Sequence, residues 1–392
     1  MENSLVTSVI AEILSPYELA EFFEEYWTLK SVFIPNNGRR FKQIFSWQKL
    51  NDILNFHEFD YPSLRLAKDG EVLPPKENAQ FLKHCQEGAT LVIDRLHKLV
   101  PEVAHFAAAI KEDLGHPLQV NMYCSWPQVQ GFKCHYDTHE VFILQVDGCK
   151  EWHIFADTVK YPVKEEKSSA HHPPDSEPVL SCILEPGDVL YIPRGHWHYA
   201  KTVDKPSLHL TLGIHCLTGI DFLQWLTQQL QEEQEWRINL PILNNRNTTS
   251  LDKHLEGLTD NLTTYLQTGK PTIEYSEYLA NSENLIPKYA FPYQAGYQIF
   301  AQGINTKFIR PKYQRSQIVE LPEKQGYQIT VWHKEITLKG VPKSFVEQLF
   351  KQESFTGADV ASWLPDDFDW ELDIAPTLRR LVTEGIIFVA NT

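Results

Sequence analysis

The sequence predicts an α+β protein built around a barrel or double-sheet jelly roll of antiparallel strands, and three observations predict it. Between about residues 117 and 216, six short runs rich in β-branched and aromatic residues are divided by turn signals. On either side of that stretch the apolar residues change to helical spacing. At 392 residues the chain also exceeds the roughly 250–300 at which a single core stops growing. It is therefore expected to divide into 1–216, a mixed α/β segment with the jelly roll; 217–300, a helical region; and 301–392, a C-terminal domain.

Taken in order, Ser15-Pro16-Tyr17-Glu18 has the form of a helix start, with a capping serine and proline at the first helical position. Leu19, Phe22, Phe23, Tyr26 and Trp27 then keep one apolar stripe. Ser31 to Pro35 is a short strand, Trp47 to Leu54 a helix, Leu64 to Leu73 a hairpin turning at Asp69-Gly70, and Val100 to Leu114 a further helix. The six runs of the jelly roll are Leu118 to Trp126, Glu140 to Val146, Glu151 to Phe155, Val179 to Leu184, Val189 to Ile192 and Leu208 to His215. Asp147-Gly148 and Glu185-Pro186-Gly187-Asp188 supply turns between them.

Helical periodicity returns at Asp221 to Gln231. After a polar loop at Asn245 to Ser250, Leu251, Leu255, Leu258, Leu262 and Leu266 form a stripe that stops at Thr268-Gly269-Lys270-Pro271. A stripe of that length is expected to pack on other helices, either of its own chain or of a second subunit, and 217–300 is a candidate dimerisation region. Farther on, Phe308 to Arg310 and Tyr327 to Trp332 have strand character. Phe345 to Phe350, Gly357 to Leu364 and Leu378 to Glu384 are short helices before the apolar Ile386 to Ala390. Three short helices and a terminal strand are similar to a winged-helix module. From residue 321 onward there are 7 basic and 11 acidic residues, so packing or substrate positioning is expected there rather than DNA reading.

The formal charge is −15, which argues against a general nucleic-acid binder, since neutralising many phosphates takes a surplus of Lys and Arg. The first fifteen residues carry Glu2 and Glu12 and no basic residue, unlike a secretory signal. No apolar run approaches the ~18–20 residues of a membrane span. The expected compartment is the cytoplasm. Six cysteines without a CxxC pair are expected as reduced, mostly buried thiols.

Nine of the 16 histidines fall between His135 and His215. Within Gly131-Phe-Lys-Cys-His135-Tyr-Asp137-Thr-His139-Glu140, His135 and Asp137 are two apart, and on a strand such residues leave the same face. Gly187-Asp-Val-Leu-Tyr-Ile-Pro193-Arg-Gly195-His-Trp-His198 is a glycine-shaped turn pattern that aims His198 into the barrel. Two histidines and one carboxylate on one face of a metal leave three positions open, as in non-haem Fe(II) oxygenases. Alternation puts Glu140 on the opposite face, and the spacing selects His198 over His196. His139 shares the ligands' parity and is expected at the mouth of the site. The polar loop 160–178, with His171-His172, is long enough to cover it.

Together the two motifs resemble the cupin superfamily. The Asp in place of a second His, the segment Val141-Phe-Ile-Leu-Gln145-Val-Asp-Gly148-Cys-Lys150-Glu-Trp152 and the Tyr-Ile-Pro-Arg-Gly turn look like the JmjC-type ribosomal oxygenases, which are Fe(II)- and 2-oxoglutarate-dependent protein hydroxylases. The resemblance implies a double-stranded β-helix core, a helical dimerisation region and a winged-helix-like C-terminal domain. It also implies His135, Asp137 and His198 as iron ligands, Lys150 as the partner of the distal 2-oxoglutarate carboxylate, and Asn121 and Tyr123 in the cosubstrate pocket. Where the family often carries a hydroxyl residue, this chain has Gly213, which leaves Thr211 as the nearest hydroxyl on that strand face. The implied reaction uses O2 to hydroxylate a side chain of a protein or peptide, with Arg or His of a ribosomal protein as precedent. An acidic chain suits a basic partner. JmjC-type lysine demethylation and a non-catalytic cupin scaffold are the alternatives.

Overall fold

All six strand runs expected between 117 and 216 are strands in the computed structural model, which describes residues 8–36, 38, 40–242, 249–281, 289–314, 316–321, 323, 326–331 and 334–390. The chain forms two compact units, Met1–Cys216 and Leu217–Thr392. In the first, the order is α1 (Val9–Leu14), α2 (Leu19–Glu25), β1 (Val32–Ile34), α3 (Trp47–Phe56), β2 (Leu64–Lys68), β3 (Glu71–Val72), α4 (Phe81–Gln86), β4 (Thr90–Ile93) and α5 (Pro101–Leu114). There follow β5 (Leu118–Ser125), β6 (Glu140–Asp147), β7 (Lys150–Asp157), β8 (Leu180–Leu184), β9 (Val189–Ile192), β10 (His196–Thr202) and β11 (Ser207–Ile214).

These strands make an eight-stranded antiparallel sheet, ordered β1-β9-β6-β11-β5-β4-β2-β3, and a three-stranded one, β10-β7-β8. Val141 and Ile143 of β6 and Leu190 and Ile192 of β9 pack on Trp152 and Ile154 of β7 and Leu184 of β8, so the inner faces of the two sheets share one core. The outer face of the large sheet is covered by helices. Phe22 of α2 is fully buried, with its ring 5.0 Å from Tyr191 and 5.8 Å from Phe142.

Four expectations need correction. Ser15 ends α1 rather than capping α2: its N–H donates to the Ala11 carbonyl, and α2 begins only at Leu19. Tyr26 and Trp27 therefore lie beyond the helix, and Trp27 stacks on Tyr191 instead. The His135–Asp137 pair is not on a regular strand; His135 makes one isolated bridge, to His198, and Asp137 lies in irregular chain. The segment of His198, read as a turn, continues as β10. Strand β4 and helix α1 had no clear sequence signal.

In the second unit, α6 (Gly219–Leu230), α7 (Thr249–Gln267) and α8 (Lys270–Asn281) are followed by β12 (Lys307–Ile309), β13 (Ser316–Leu321), β14 (Gly326–Val331), β15 (Lys334–Lys339), α9 (Lys343–Lys351), β16 (Ser354–Thr356), α10 (Gly357–Ser362), α11 (Ala375–Thr383) and β17 (Phe388–Val389). Helix α7 carries the leucine stripe and stops at Gly269, in the left-handed region, but Lys270-Pro271 at once opens α8. Of the expected polar loop, 245–248 lie outside the described residues, and Thr249 and Ser250 already belong to α7. Trp225, Leu226 and Leu230 of α6 gather Leu262, Tyr265 and Tyr275 around them. Sheets β16-β12-β17 and β13-β14-β15 share a core with α9, α10 and α11 through Phe308, Ile329, Phe345, Val360 and Leu378.

Candidate metal centre and cavity

Two strand registers build the inner wall. Thr211 of β11 lies opposite Asn121 of β5 on one side and Ile143 of β6 on the other, and His209 lies likewise between Tyr123 and Gln145. Alternation turns Asn121, Tyr123, His209 and Thr211 to one face, while Val120, Met122, Leu210 and Leu212 go to the helix-covered core. Lys150 opens β7 opposite Thr202 of β10, across from that face. Between the sheets is a cavity of ≈ 300 Å³, lined by all four of the inward residues together with Lys150, His135, Asp137 and His198.

His135, Asp137 and His198 offer ligand atoms that lie within 4.8 Å of one another, a spacing a metal ion could bridge. Among the described residues they are the cluster of this kind. Backbone bonds hold them there: His135 N–H donates to the His198 carbonyl at 3.1 Å, and His198 N–H returns the bond at 2.7 Å. Gly195 N–H donates to the Asp137 carbonyl at 2.9 Å. The Nδ1 atoms of His135 and His198 are 2.8 and 3.0 Å from the carbonyls of Lys133 and His196. A carbonyl only accepts, so those nitrogens carry the protons and leave both Nε2 lone pairs for a metal. His198 Nε2 stands 3.6 Å from Asp137 Oδ2. Burial, reinforced by His135, lowers the pKa of His198 to about 4, so it is neutral at pH 7. Burial alone would raise Asp137, but the electrostatic pull of the neighbouring His139, His135, His198 and His215 outweighs it and the shift is downward.

At the other end, Lys150 is 5% exposed, and its Nζ donates to Ser125 Oγ at 3.1 Å. Burial lowers its pKa to about 8, against a small opposing effect from Cys124. The buried Nδ1 of His209 and Nε1 of Trp152, on two further lining residues, have no hydrogen-bond partner among the described residues. A buried cation beside orphaned polar atoms fits an anionic ligand that would satisfy them. Asn121 Oδ1 accepts from Arg95 N–H at 3.0 Å and Gln119 Nε2 at 2.8 Å, which fixes its amide. The Tyr123 ring stacks on His209 with centroids 5.0 Å apart, and burial raises its pKa to about 12.

Sequence reading missed Arg65, which lines the cavity and is held by Asp94 through bonds of 2.8 and 2.7 Å. It missed His209 and Trp152 as well. The parity that singled out Thr211 also picks His209, two residues earlier on β11, so that signal was present. Arg65 had a fainter one, a lone charge between Leu64 and Leu66. Glu140 and His196, which alternation and spacing set aside as ligands, lie elsewhere. Glu140 is fully buried behind the site, accepting from Tyr191 OH at 2.5 Å and from Arg194 N–H at 3.3 Å. His196 turns to Ser31 Oγ, 3.3 Å away. His139 lines the cavity. In the 160–178 loop, the Glu166 carbonyl accepts from Tyr136 OH at 3.0 Å, which ties the loop to the residue between His135 and Asp137.

A family model described as JmjC domain matches residues 97–222, the stretch that holds this cluster of candidate ligands. Over that stretch the chain resembles JmjC proteins of the ribosomal-oxygenase type. It is 30% identical over 231 residues to "Bifunctional lysine-specific demethylase and histidyl-hydroxylase NO66" of Drosophila pseudoobscura pseudoobscura, covering 55% of this chain and 24% of that protein. It is 30% identical over 251 residues to human "Ribosomal oxygenase 1", covering 58% of this chain and 38% of the relative. The matches thus span well under half of these relatives' lengths. Among solved structures, E. coli ycfD superposes with a TM-score of 0.62 over 95% of this chain and 98% of its own, at 17% identity. The ribosomal oxygenase YcfD from Escherichia coli in complex with cobalt and 2-oxoglutarate does so at 0.60 over 96% and 99%, also at 17%. At that identity the likeness is one of fold.

Proposed function

We propose that the protein is an Fe(II)- and 2-oxoglutarate-dependent oxygenase that hydroxylates a side chain of a protein or peptide, with Arg or His of a ribosomal protein as the substrate class. The observation that carries this reading is the pairing, in one cavity, of the His135-Asp137-His198 cluster with the buried, sparsely partnered Lys150. His135, Asp137 and His198 would hold the iron. Lys150 would pair with the distal carboxylate of 2-oxoglutarate, and Thr211, Asn121 and Tyr123 would line its pocket. When bound, iron and cosubstrate supply the oxidation: O2 gives one oxygen atom to the substrate C–H bond, and 2-oxoglutarate leaves as succinate and CO2. The chain's own part is placement. Backbone bonds fix the ligands, the apolar Val141 and Ile143 limit water, and Lys150 sets which way round a dicarboxylate lies. The relatives' printed names carry lysine demethylation as well as histidine hydroxylation. Hydroxylation is preferred because no basic targeting run or histone-reading motif occurs in this sequence.

The finer parts of the reading follow the resemblance. Residues 217–300 form a dimerisation region, supported by a leucine stripe of which no residue is fully buried in the single chain. Residues 301–392 form a winged-helix-like domain that positions substrate rather than binding nucleic acid. The partner is basic, supported by the charge of −15. The compartment is the cytoplasm, supported by six free cysteines. No helix among the described residues is long and apolar enough to cross a membrane.

The test is anaerobic titration with Fe(II) and 2-oxoglutarate, followed by succinate release on admitting air. Stoichiometric binding is expected, with iron binding lost in His135→Ala and cosubstrate binding in Lys150→Ala. Binding that neither substitution disturbs would sink the proposal.

A further inference from the structure

Gly213 sits on β11, opposite Gln119 of β5 and Val141 of β6. A Cβ at this position would lie 2.8 Å from Cε1, 3.1 Å from Nδ1 and 3.2 Å from Nε2 of His139. Three ring atoms crowd it at once, so the imidazole fills the volume that a side chain at 213 would take. The ring stands edge-on to His215, with centroids 4.9 Å apart, and Nδ1 is 3.3 Å from the Glu140 carbonyl oxygen. Because that oxygen only accepts, Nδ1 carries the proton of the neutral ring and Nε2 keeps a lone pair. The same ring lines the cavity beside Asp137. Where the family resemblance leads one to expect a hydroxyl, which both donates and accepts, this chain has a bulkier group with an acceptor.

We infer that His139 is a specificity-determining residue that accepts a hydrogen bond from an N–H of the side chain entering the cavity. It favours a side chain with an N–H to give, an imidazole or guanidinium among them. It disfavours an aliphatic side chain, which would bury the lone pair unpaired, and a trimethylated ammonium, which has no N–H to give. Selection therefore falls against trimethyl-lysine, whereas a lysine with fewer methyl groups keeps an N–H to give. The inference rests on the oxygenase reading above, since it concerns the substrate of that same cavity.

Binding rather than turnover tests it. Short peptides flanked by Gly and Lys, with a single central Arg, His, Leu or trimethyl-lysine, are titrated into the full chain loaded with Fe(II) and 2-oxoglutarate under nitrogen, and fluorescence anisotropy reads the affinity. The wild type is expected to bind the Arg or the His peptide about tenfold tighter than the Leu and trimethyl-lysine peptides. His139→Val is expected to bring that ratio to about one, and His139→Asn, whose amide oxygen still accepts, to keep most of it. A wild-type ratio near one, or a ratio that His139→Val leaves in place, overturns the inference. The wild-type ratio needs no variant, so a substitution that fails to fold does not protect the idea. Succinate release by the wild type in air is scored separately: a protein that releases succinate but shows no peptide preference refutes the role of His139 alone, whereas one that releases none refutes the oxygenase reading.

Discussion

Lys150 is a cation removed from water with the Ser125 hydroxyl as its hydrogen-bond partner, and its titration follows from that. Its pKa falls from 10.5 to about 8 because burial penalises the charged form. Between those two values the unfolded chain holds a proton that the folded one has released, so stability rises with pH across that window. The ligand-free protein should therefore melt at a higher temperature near pH 10 than the trend of a Lys150→Met variant predicts. Calorimetry on both, from pH 7 to 10, checks it, and parallel curves would refute it. A dicarboxylate beside Lys150 restores the charged form. Binding of 2-oxoglutarate near pH 8.5 should thus take up a proton, seen as a binding enthalpy that depends on the buffer, and Lys150→Met should weaken binding by about 10–100-fold, the worth of a hydrogen bond to a charged group. This residue was legible in the sequence only through its neighbours. A lysine just past an Asp-Gly turn is ordinarily solvated, and the flanking motif alone marked it out.

At the scale of elements, the cluster depends on one turn. Pro193-Arg194-Gly195 leads into β10, whose pairing with β7 shifts register between His196 and His198, so that His198 faces the cavity. Gly195 has φ +89°, and a Cβ there would meet the Val159 carbonyl oxygen at 2.7 Å. Its N–H also holds the Asp137 carbonyl. Gly195→Ala should accordingly cost about 1–3 kcal/mol of stability and weaken Fe(II) binding roughly tenfold, because it moves two ligand-bearing segments together. Urea unfolding and anaerobic Fe(II) titration measure the two effects, and a loss of stability with iron affinity intact would contradict the link. The same turn shows what spacing can reveal. Gly187, Pro193, Gly195 and His198 encode a backbone shape directly, and that was readable. The convergence of His135 and Asp137 was readable too, but through the wrong geometry: strand alternation was expected, and a single backbone bridge to His198 performs the task. Strand β10 stayed hidden because its register shift breaks the period of two that reveals strands. Helix α1 stayed hidden because Ser15-Pro16 has the form of a helix start, while the fold uses Ser15 to end one.

For the whole molecule, the leucine stripe of α7 poses the question of assembly. Part of it is used within the chain, where Leu262 and the neighbouring Tyr265 pack against the cluster of Trp225, Leu226 and Leu230. The rest of that face is open: Leu255 and Leu266, three helical turns apart, are 46% and 39% exposed. A helix of 19 residues with none fully buried draws little stability from its own chain, since helices in proteins are held mostly by packing an apolar face. A second copy, docking its own α7 in the same way, would bury both open leucines in a two-fold contact. Light scattering should then report twice the 45.4 kDa chain mass, and Leu255→Asp should return a single chain, because it places a charge in the contact while sparing the packing around Trp225. Leu258→Asp, nearer that packing, should both separate the copies and lower the melting temperature. A wild-type mass of 45.4 kDa at micromolar concentration would show instead that the stripe serves only the core of its own chain.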